Sequence, residues 1–118
     1  MSELKVHVGG TLADMRSRVL SAIQRAEAGE AVSERHLTFL SFEQFRQTLT
    51  PKRLELLRHL HRNPAANIKA LAGSLGRDYK RVYEDVKALE DAGMIERAGD
   101  GSLSAEYDEI AIETKIAL

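Results

Sequence analysis

The chain has 118 residues, of which 43% are hydrophobic and 30% are charged, and its formal net charge is −1. Such a length fits one domain with a modest core. The chain contains no cysteine, which excludes disulfide frameworks, cysteine-ligated zinc and thiol nucleophiles. No apolar run is long enough to span a membrane and no signal-peptide pattern opens the chain, so we expect a cytoplasmic protein without a membrane contact.

The first thirty residues predict a strand and a helix. Apolar and polar residues alternate over residues 3–8, which is typical of a short strand, and Gly9-Gly10 ends it. Thr11 is placed to cap a helix over residues 12–28. The apolar residues that recur at helical spacing are Leu12, Met15, Val19, Ile23 and Ala26.

A second strand and two more helices are predicted before residue 65. After a polar linker over residues 30–35, residues 36–41 place Leu37 and Phe39 on one face of a short strand. A helical pattern restarts at Phe42. Thr50-Pro51 begins another helix, because proline suits the first turn, and Asn63-Pro64 ends it.

Residues 67–93 predict two short helices joined by a tight turn. Asn67 and Asp78 are placed to cap them, Gly76 tolerates the positive φ of the turn, and Gly93 ends the second helix. The inward faces consist of Ile68, Leu71, Ala72 and Leu75 on the first helix and Val82, Val86 and Leu89 on the second. Matched faces across a glycine turn are typical of a helix-turn-helix.

A β-hairpin is predicted directly after these helices. Residues 94–98 alternate as a strand, Asp100-Gly101 is a tight-turn signal, and alternation resumes over residues 103–112. A hairpin in this place is a wing. We therefore expect an α+β, mostly α fold: a winged helix-turn-helix over residues 50–118 with a small N-terminal strand-helix extension over residues 1–49.

The charges are distributed unevenly along the chain. Residues 51–87 carry nine Lys or Arg and four Asp or Glu, whereas residues 88–118 carry two and eight. Because DNA is a dense line of negative charge, a local basic segment is the relevant feature for a nucleic-acid partner.

Three motifs of the second half are shared with a known family. They are the Leu-Thr-Pro-Lys-Arg stretch that starts at Leu49, the Gly76-Arg77-Asp78 turn with the helix after it, and the Ala-Gly-Met-Ile-Glu-Arg stretch that ends at Arg97. With them, residues 50–112 resemble the MarR-like winged-helix regulators of bacteria and archaea, and one predicted DNA-binding subfamily in particular. Some members of that subfamily lie beside small toxins and look like antitoxins that repress their own operon.

A recognition helix is predicted over about residues 78–92, with its first turns in the major groove. Arg or Lys pairs there with guanine, and Glu accepts from cytosine. The predicted DNA-binding residues are Lys69, Ser74, Arg77, Tyr79, Lys80, Arg81, Glu84, Lys87 and Arg97. The pairs Lys80–Glu84 and Lys87–Asp91 also have the spacing that stabilises a solvated helix.

Other polar residues favour structural roles. We expect Asp85 to act as a cap or to form an ion pair with Arg53 or Arg58. The four histidines lack zinc-binding spacing, and the acidic residues of the tail are typical of a solvated strand edge. The residues of this acidic group are Glu106, Asp108, Glu109 and Glu113. We predict no catalytic residues, no metal, no cofactor and no enzymatic activity.

The function predicted from these patterns is a sequence-specific, repressor-like regulator that binds double-stranded DNA as a homodimer. The apolar stripe of the first helix is the candidate dimer contact, with packing on its own chain as the alternative. An antitoxin that neutralises a toxin protein and represses its own operon is the alternative function. A winged helix used only for protein contact is a third.

Overall fold

The computed structural model describes residues 2–10, 12–29, 34–116 and 118. They form an α+β fold with five helices, a three-stranded sheet and a two-stranded sheet. In chain order the elements are β1 (Glu3–Val8), α1 (Leu12–Glu27), β2 (Glu34–Phe39), α2 (Phe42–Thr48), α3 (Pro51–Arg62), α4 (Ile68–Leu75), α5 (Tyr79–Asp91), β3 (Glu96–Arg97), β4 (Leu103–Ser104) and β5 (Glu109–Thr114). None of these helices has both the length and the apolar character needed to cross a membrane.

Two compact units make up the chain. Unit 1 consists of Met1–Phe45 and Tyr107–Leu118, and unit 2 consists of Arg46–Glu106. Unit 2 is therefore inserted into the sequence of unit 1. This division differs from the predicted one, because the tail belongs with the N-terminal segment and not with the helices before it.

Unit 1 contains a parallel sheet with the strand order β2-β1-β5. The central strand buries Leu4, Val6 and Val8, and Val6 lies in register with Leu37 of β2 and Ile112 of β5. Parallel neighbours need a long crossover, and α1 supplies it between β1 and β2. The strand predicted over residues 3–8 is confirmed, and β2 begins two residues before its predicted start.

The predicted second strand of the wing is wrong beyond residue 104. Only Leu103–Ser104 pairs with β3, whereas Glu109–Thr114 pairs with β1 in parallel. Alternation in residues 103–112 predicts a strand, but it does not identify the neighbouring strand. The six-residue β1 offers a full ladder of partners, which the two-residue β3 does not.

Helix α1 lies close to its predicted range, but its apolar stripe does not form the core of unit 1. Val19 and Ile23 are about half exposed, and Leu20 beside them is equally exposed. The predicted cap, Thr11, and most of the predicted linker lie outside the described residues. Gly29, after the helix, has a φ of +85°, which fits the predicted helix end.

Helices α3, α4 and α5 of unit 2 begin at the predicted caps. The side chains of Thr50, Asn67 and Asp78 each accept a backbone N–H from the first turn of the following helix. Gly76, between α4 and α5, has a φ of +64°. The core side chains are Leu56, Leu57 and Leu60 of α3, Ile68, Leu71 and Ala72 of α4, and Val82, Val86 and Leu89 of α5.

A short antiparallel hairpin follows α5. The amide of Ala98 donates to the carbonyl oxygen of Ser102 across 2.9 Å. Hydrogen bonds from Ser102 also hold the pKa of Asp100 below its ordinary value. Leu103 exchanges two backbone hydrogen bonds, of 2.8 and 3.1 Å, with Ala65. The hairpin is thereby joined to the segment between α3 and α4.

Candidate nucleic-acid interface

Helix α5 has one buried face and one exposed face. Val82, Val86 and Leu89 are completely buried. The opposite side of its first two turns is exposed, and we call it the α5 surface: Tyr79, Lys80, Arg81, Tyr83 and Glu84. The helix is thus anchored by one apolar stripe, and its polar side is presented to solvent from a fixed backbone.

The charged residues of the α5 surface have no ion-pair partner in the described part of the chain. Neither the ammonium group of Lys80 nor the guanidinium group of Arg81 forms a salt bridge there, and the i,i+4 spacing of Lys80 and Glu84 does not produce one. An exposed cation without a partner is available to a phosphate or a base edge. The sequence prediction placed Lys80, Arg81 and Glu84 at this surface.

Two tyrosines add aromatic area to the same surface. The rings of Tyr79 and Tyr83 lie 6.2 Å apart at 32°, and the two residues are 52% and 44% exposed. Large aromatic side chains that remain this exposed are available for contact with a partner. Tyr83 was not predicted as a site residue. Its i,i+4 spacing from Tyr79 is the signal that would have found it.

Arg77 is engaged inside unit 2, although the sequence placed it near DNA. Its Nη2 donates to Oδ2 of Asp85 across 2.8 Å, and Nε of Arg53 donates to Oδ1 of the same carboxylate across 3.0 Å. Arg53 also donates to the carbonyl oxygens of Gln47 and Thr48. The predicted Arg53–Asp85 pair is confirmed. Arg77 acts in this structure as a link between the turn and α5.

The α4 candidates differ from each other. Lys69 is exposed and lies in the first turn of the helix. The hydroxyl of Ser74 lies 2.7 Å from Nε2 of His59, so its hydrogen-bonding capacity is partly used on α3. Lys69 therefore has the freer side chain for a phosphate contact.

Lys87 and Arg97 have acidic neighbours. Arg97 forms a bidentate salt bridge with Glu90, with N–O distances of 2.8 and 3.1 Å. This hydrogen bonding lowers the pKa of the Glu90 carboxyl and raises the pKa of Arg97. Lys87 lies 3.9 Å from both Glu90 and Asp91. These carboxylates neutralise much of the positive charge of Lys87 and Arg97, whereas Lys80 and Arg81 at the start of α5 retain theirs.

Metal ligation has no candidate in the described ranges: no group of three or more His, Asp or Glu residues there has a suitable arrangement. Glu109 and Glu113 lie on β5, an edge strand of the sheet, as the predicted solvated edge requires.

A family model supplies the relationship to other proteins. Residues 48–112 match the model of the HVO_A0114 family. No curated protein and no solved structure matches the chain significantly. The matched segment covers more than half of the 118 residues, and the chain therefore belongs to the HVO_A0114 family.

Proposed function

We propose that unit 2 is a winged helix-turn-helix of the MarR-like kind and that the chain is a sequence-specific regulator that binds double-stranded DNA. In this proposal α4 and α5 are the two helices of the motif, and α5 is the recognition helix. The β3–β4 hairpin is a short wing. The three capped helices, the left-handed Gly76 and the hairpin in this order support it.

The observation that carries the proposal is the composition of the α5 surface. Lys80 and Arg81 are exposed without acidic partners, whereas two other predicted DNA-binding cations, Arg77 and Arg97, are held by carboxylates. A helix anchored by Val82, Val86 and Leu89 presents these two cations in its first turn, which is the part of a recognition helix that reaches base edges.

A salt-titrated binding assay with the DNA upstream of the chain's own gene tests the proposal. We expect micromolar or tighter binding at low salt, and a charge reversal of Lys80→Glu with Arg81→Glu should abolish it. For the milder double variant Lys80→Gln with Arg81→Gln, the negative slope of log K against log salt should become shallower by about 1.8 if both side chains neutralise a phosphate.

The matched control removes two other exposed cations, Lys52→Gln with Lys115→Gln, and should leave the slope nearly unchanged. Lys52 and Lys115 are each about 70% exposed beside a carboxylate. Equal slopes for the two double variants would show that general charge, and not the α5 surface, controls binding. No binding at low salt would contradict the proposal of a DNA-binding regulator and would favour a winged helix used only for protein contact.

A homodimer is the second part of the proposal, because one small module rarely provides the specificity that a genome requires. Val19, Leu20 and Ile23 form a half-exposed apolar face on α1, and we propose a second copy as its partner. We expect Ile23→Asp to convert a dimer to a monomer in analytical ultracentrifugation. Leu40→Asp, at an exposed apolar residue of the same unit, is the control and should leave the dimer intact.

A toxin partner is an alternative prediction from the family resemblance. A small toxin-like reading frame beside the gene is the observation that would favour it. In that case the chain would combine DNA binding with the neutralisation of the toxin, and the α1 face would be the first surface to test by substitution.

A further inference from the structure

Strand β5 is an outer strand of the sheet in unit 1, and its outer edge is exposed. The strand order is β2-β1-β5, so β5 pairs on one side only, and in the described part of the chain no strand lies on its other side. Five of its six residues are exposed, and the Ile112 side chain among them is apolar. The outer edge of β5 is therefore accessible to another strand.

The backbone groups that point outward from β5 follow from its hydrogen bonds to β1. The amide of Lys115 donates to the carbonyl oxygen of Val8 across 3.3 Å, and Val8 lies in register with Thr114. In a parallel ladder the N–H and C=O of one residue point to the same side, and successive residues alternate between the two sides. The residues whose N–H and C=O point away from β1 are therefore Ile110, Ile112 and Thr114.

This edge lacks two features that commonly prevent edge strands from pairing. Protected edges contain proline, bulges or charged side chains. The six residues of β5 include no proline, and their register with β1 is continuous from Glu109 to Thr114, so no bulge interrupts the strand. Charge remains, at Glu109 and Glu113. Because charge opposes pairing only where like charges meet, its effect depends on the register of the incoming strand.

Two registers join β5 to the β5 of a second copy over five strand residues of each copy. A two-fold axis perpendicular to the sheet makes the two strands antiparallel, and residues with outward backbone groups must then lie opposite each other. If the axis passes through Ala111, Glu109 lies opposite Glu113 of the second copy, twice by symmetry. Like charges directly opposite each other are destabilising. The register with the axis at Ile112 avoids this arrangement.

The register centred on Ile112 brings opposite charges together. It places Lys115 opposite Glu109 of the second copy, twice by symmetry, and Glu113 opposite Ala111. Lys115 also lies 3.9 Å from Glu113 of its own chain, but both side chains are about two thirds exposed, where an ion pair contributes little. Ile112 meets its own copy, and β-branched and opposite-charge pairs both stabilise a sheet. The edge of β5 is thus self-complementary in this register.

We propose that β5 pairs with the β5 of a second copy in the antiparallel register centred on Ile112, so that two three-stranded sheets become one continuous sheet. Few side chains take part, so the contact is weak and forms at high micromolar concentrations. It is separate from the α1 contact of the proposed homodimer, and it does not require DNA. On DNA, where neighbouring copies are held close together, it joins adjacent copies, and this consequence alone rests on the proposed function.

Self-association of the full chain tests the proposal in an Ile23→Asp background, in which the α1 face does not contribute. Analytical ultracentrifugation up to about 1 mM protein should show a monomer–dimer equilibrium. Amide exchange measured by NMR supplies the readout for single residues. The amides of Ala111 and Glu113 face β1 and should be protected at every concentration, whereas the amide of Ile112 should become protected only as the dimer forms.

Charge exchange tests the register. Lys115→Glu and Glu109→Lys each place like charges opposite each other on both sides of the axis, and each should weaken the dimer by about tenfold. The double variant restores opposite charges and should return the affinity to within about threefold of the parent. An effect of net charge alone would instead move the affinities of the two single variants in opposite directions.

Two further variants serve as controls. Lys115→Gln removes the attraction without adding a repulsion, and it should weaken the dimer by no more than about threefold. Lys52→Glu reverses the charge of a lysine on α3 that is 70% exposed, and it should change the affinity by less than about twofold.

Three results would overturn the proposal. The first is the absence of a dimer at the highest concentration. The second is a double variant that remains as weak as the single variants, because the register would then be wrong. The third is an Ile112 amide whose exchange does not respond to dimer formation, because the two copies would then meet elsewhere.

Discussion

Arg77 donates a hydrogen bond from Nη2 to Oδ2 of Asp85 across 2.8 Å, and it thereby ties the turn before α5 to the middle of that helix. Arg53 binds the other oxygen of the same carboxylate at 3.0 Å. One acidic side chain therefore joins α3, the turn and α5. The direction in which α5 presents its exposed residues depends on this shared carboxylate.

The first prediction concerns that carboxylate. Asp85→Asn removes the negative charge between two arginines, and we expect it to lower the free energy of unfolding by about 2 kcal/mol, since hydrogen bonds to charged groups contribute roughly that much. Asp91→Asn makes the same change on the same helix at a side chain that is 73% exposed, against 14% for Asp85. Its effect should stay below about 0.5 kcal/mol. Urea unfolding measures both, and equal effects would contradict the assigned role of Asp85.

Two glycines on either side of the end of α4 should respond to alanine with opposite signs. A Cβ added at Gly73 or Gly76 meets no atom within 4 Å, so steric crowding is absent at both. Gly76 has a φ of +64°, and alanine there should cost about 1 kcal/mol of stability. Gly73 lies within α4, where alanine should instead add about 0.5–1 kcal/mol. Thermal unfolding decides the signs, and two changes of the same sign would refute the argument.

The tyrosine pair should affect DNA affinity and not stability. We expect Tyr79→Ala to weaken operator binding by about tenfold, or about 1.4 kcal/mol, because an exposed ring and hydroxyl leave the proposed contact surface. Phe42→Ala is a suitable control, since Phe42 is also half exposed and adjoins another ring, that of Phe45. Fluorescence anisotropy with labelled DNA measures the two affinities. Similar losses would place the contact elsewhere.

Acidification should weaken unit 1 through His7. Its folded pKa lies below the ordinary value of 6.5, mainly because the ring is buried and next because of Arg18. The unfolded chain then binds the proton more readily than the folded one, so stability is intact above about pH 6.5 and falls as the pH decreases toward the folded pKa.

The variant His7→Gln isolates this contribution. The decrease in unfolding free energy between pH 7 and pH 5 should become shallower in the variant, whatever its stability at pH 7. Denaturant unfolding at several pH values provides the measurement. An unchanged pH dependence would assign the decrease to other groups.

The elements of unit 2 follow from signals that lie within a few residues of each other. Thr50, Asn67 and Asp78 cap the helices that start beside them, and Gly76 marks its turn. Strand β5 could be recognised as a strand but not assigned a partner. Ile110 pairs with Leu4, more than a hundred residues earlier, and alternation carries no information about so distant a neighbour.

The candidate site was predictable to a similar extent. A helical wheel separates the buried stripe of α5 from Lys80 and Arg81, because helical spacing alone determines which residues lie on the buried face and which on the exposed face. It does not show that Arg97 reaches Glu90, since the two residues lie on different elements. Positive charge along the sequence therefore overstated the number of cations that are free to meet a phosphate.

The insertion of unit 2 between β2 and β5 has a consequence for the order of folding during synthesis. All of Arg46–Glu106 is synthesised before β5, so the helical unit has its complete sequence while β1 still lacks one of its two neighbours. Because domains generally fold as units when their chain is available, we expect unit 2 to be native first. The sheet of unit 1 is completed last, after the inserted segment has already folded.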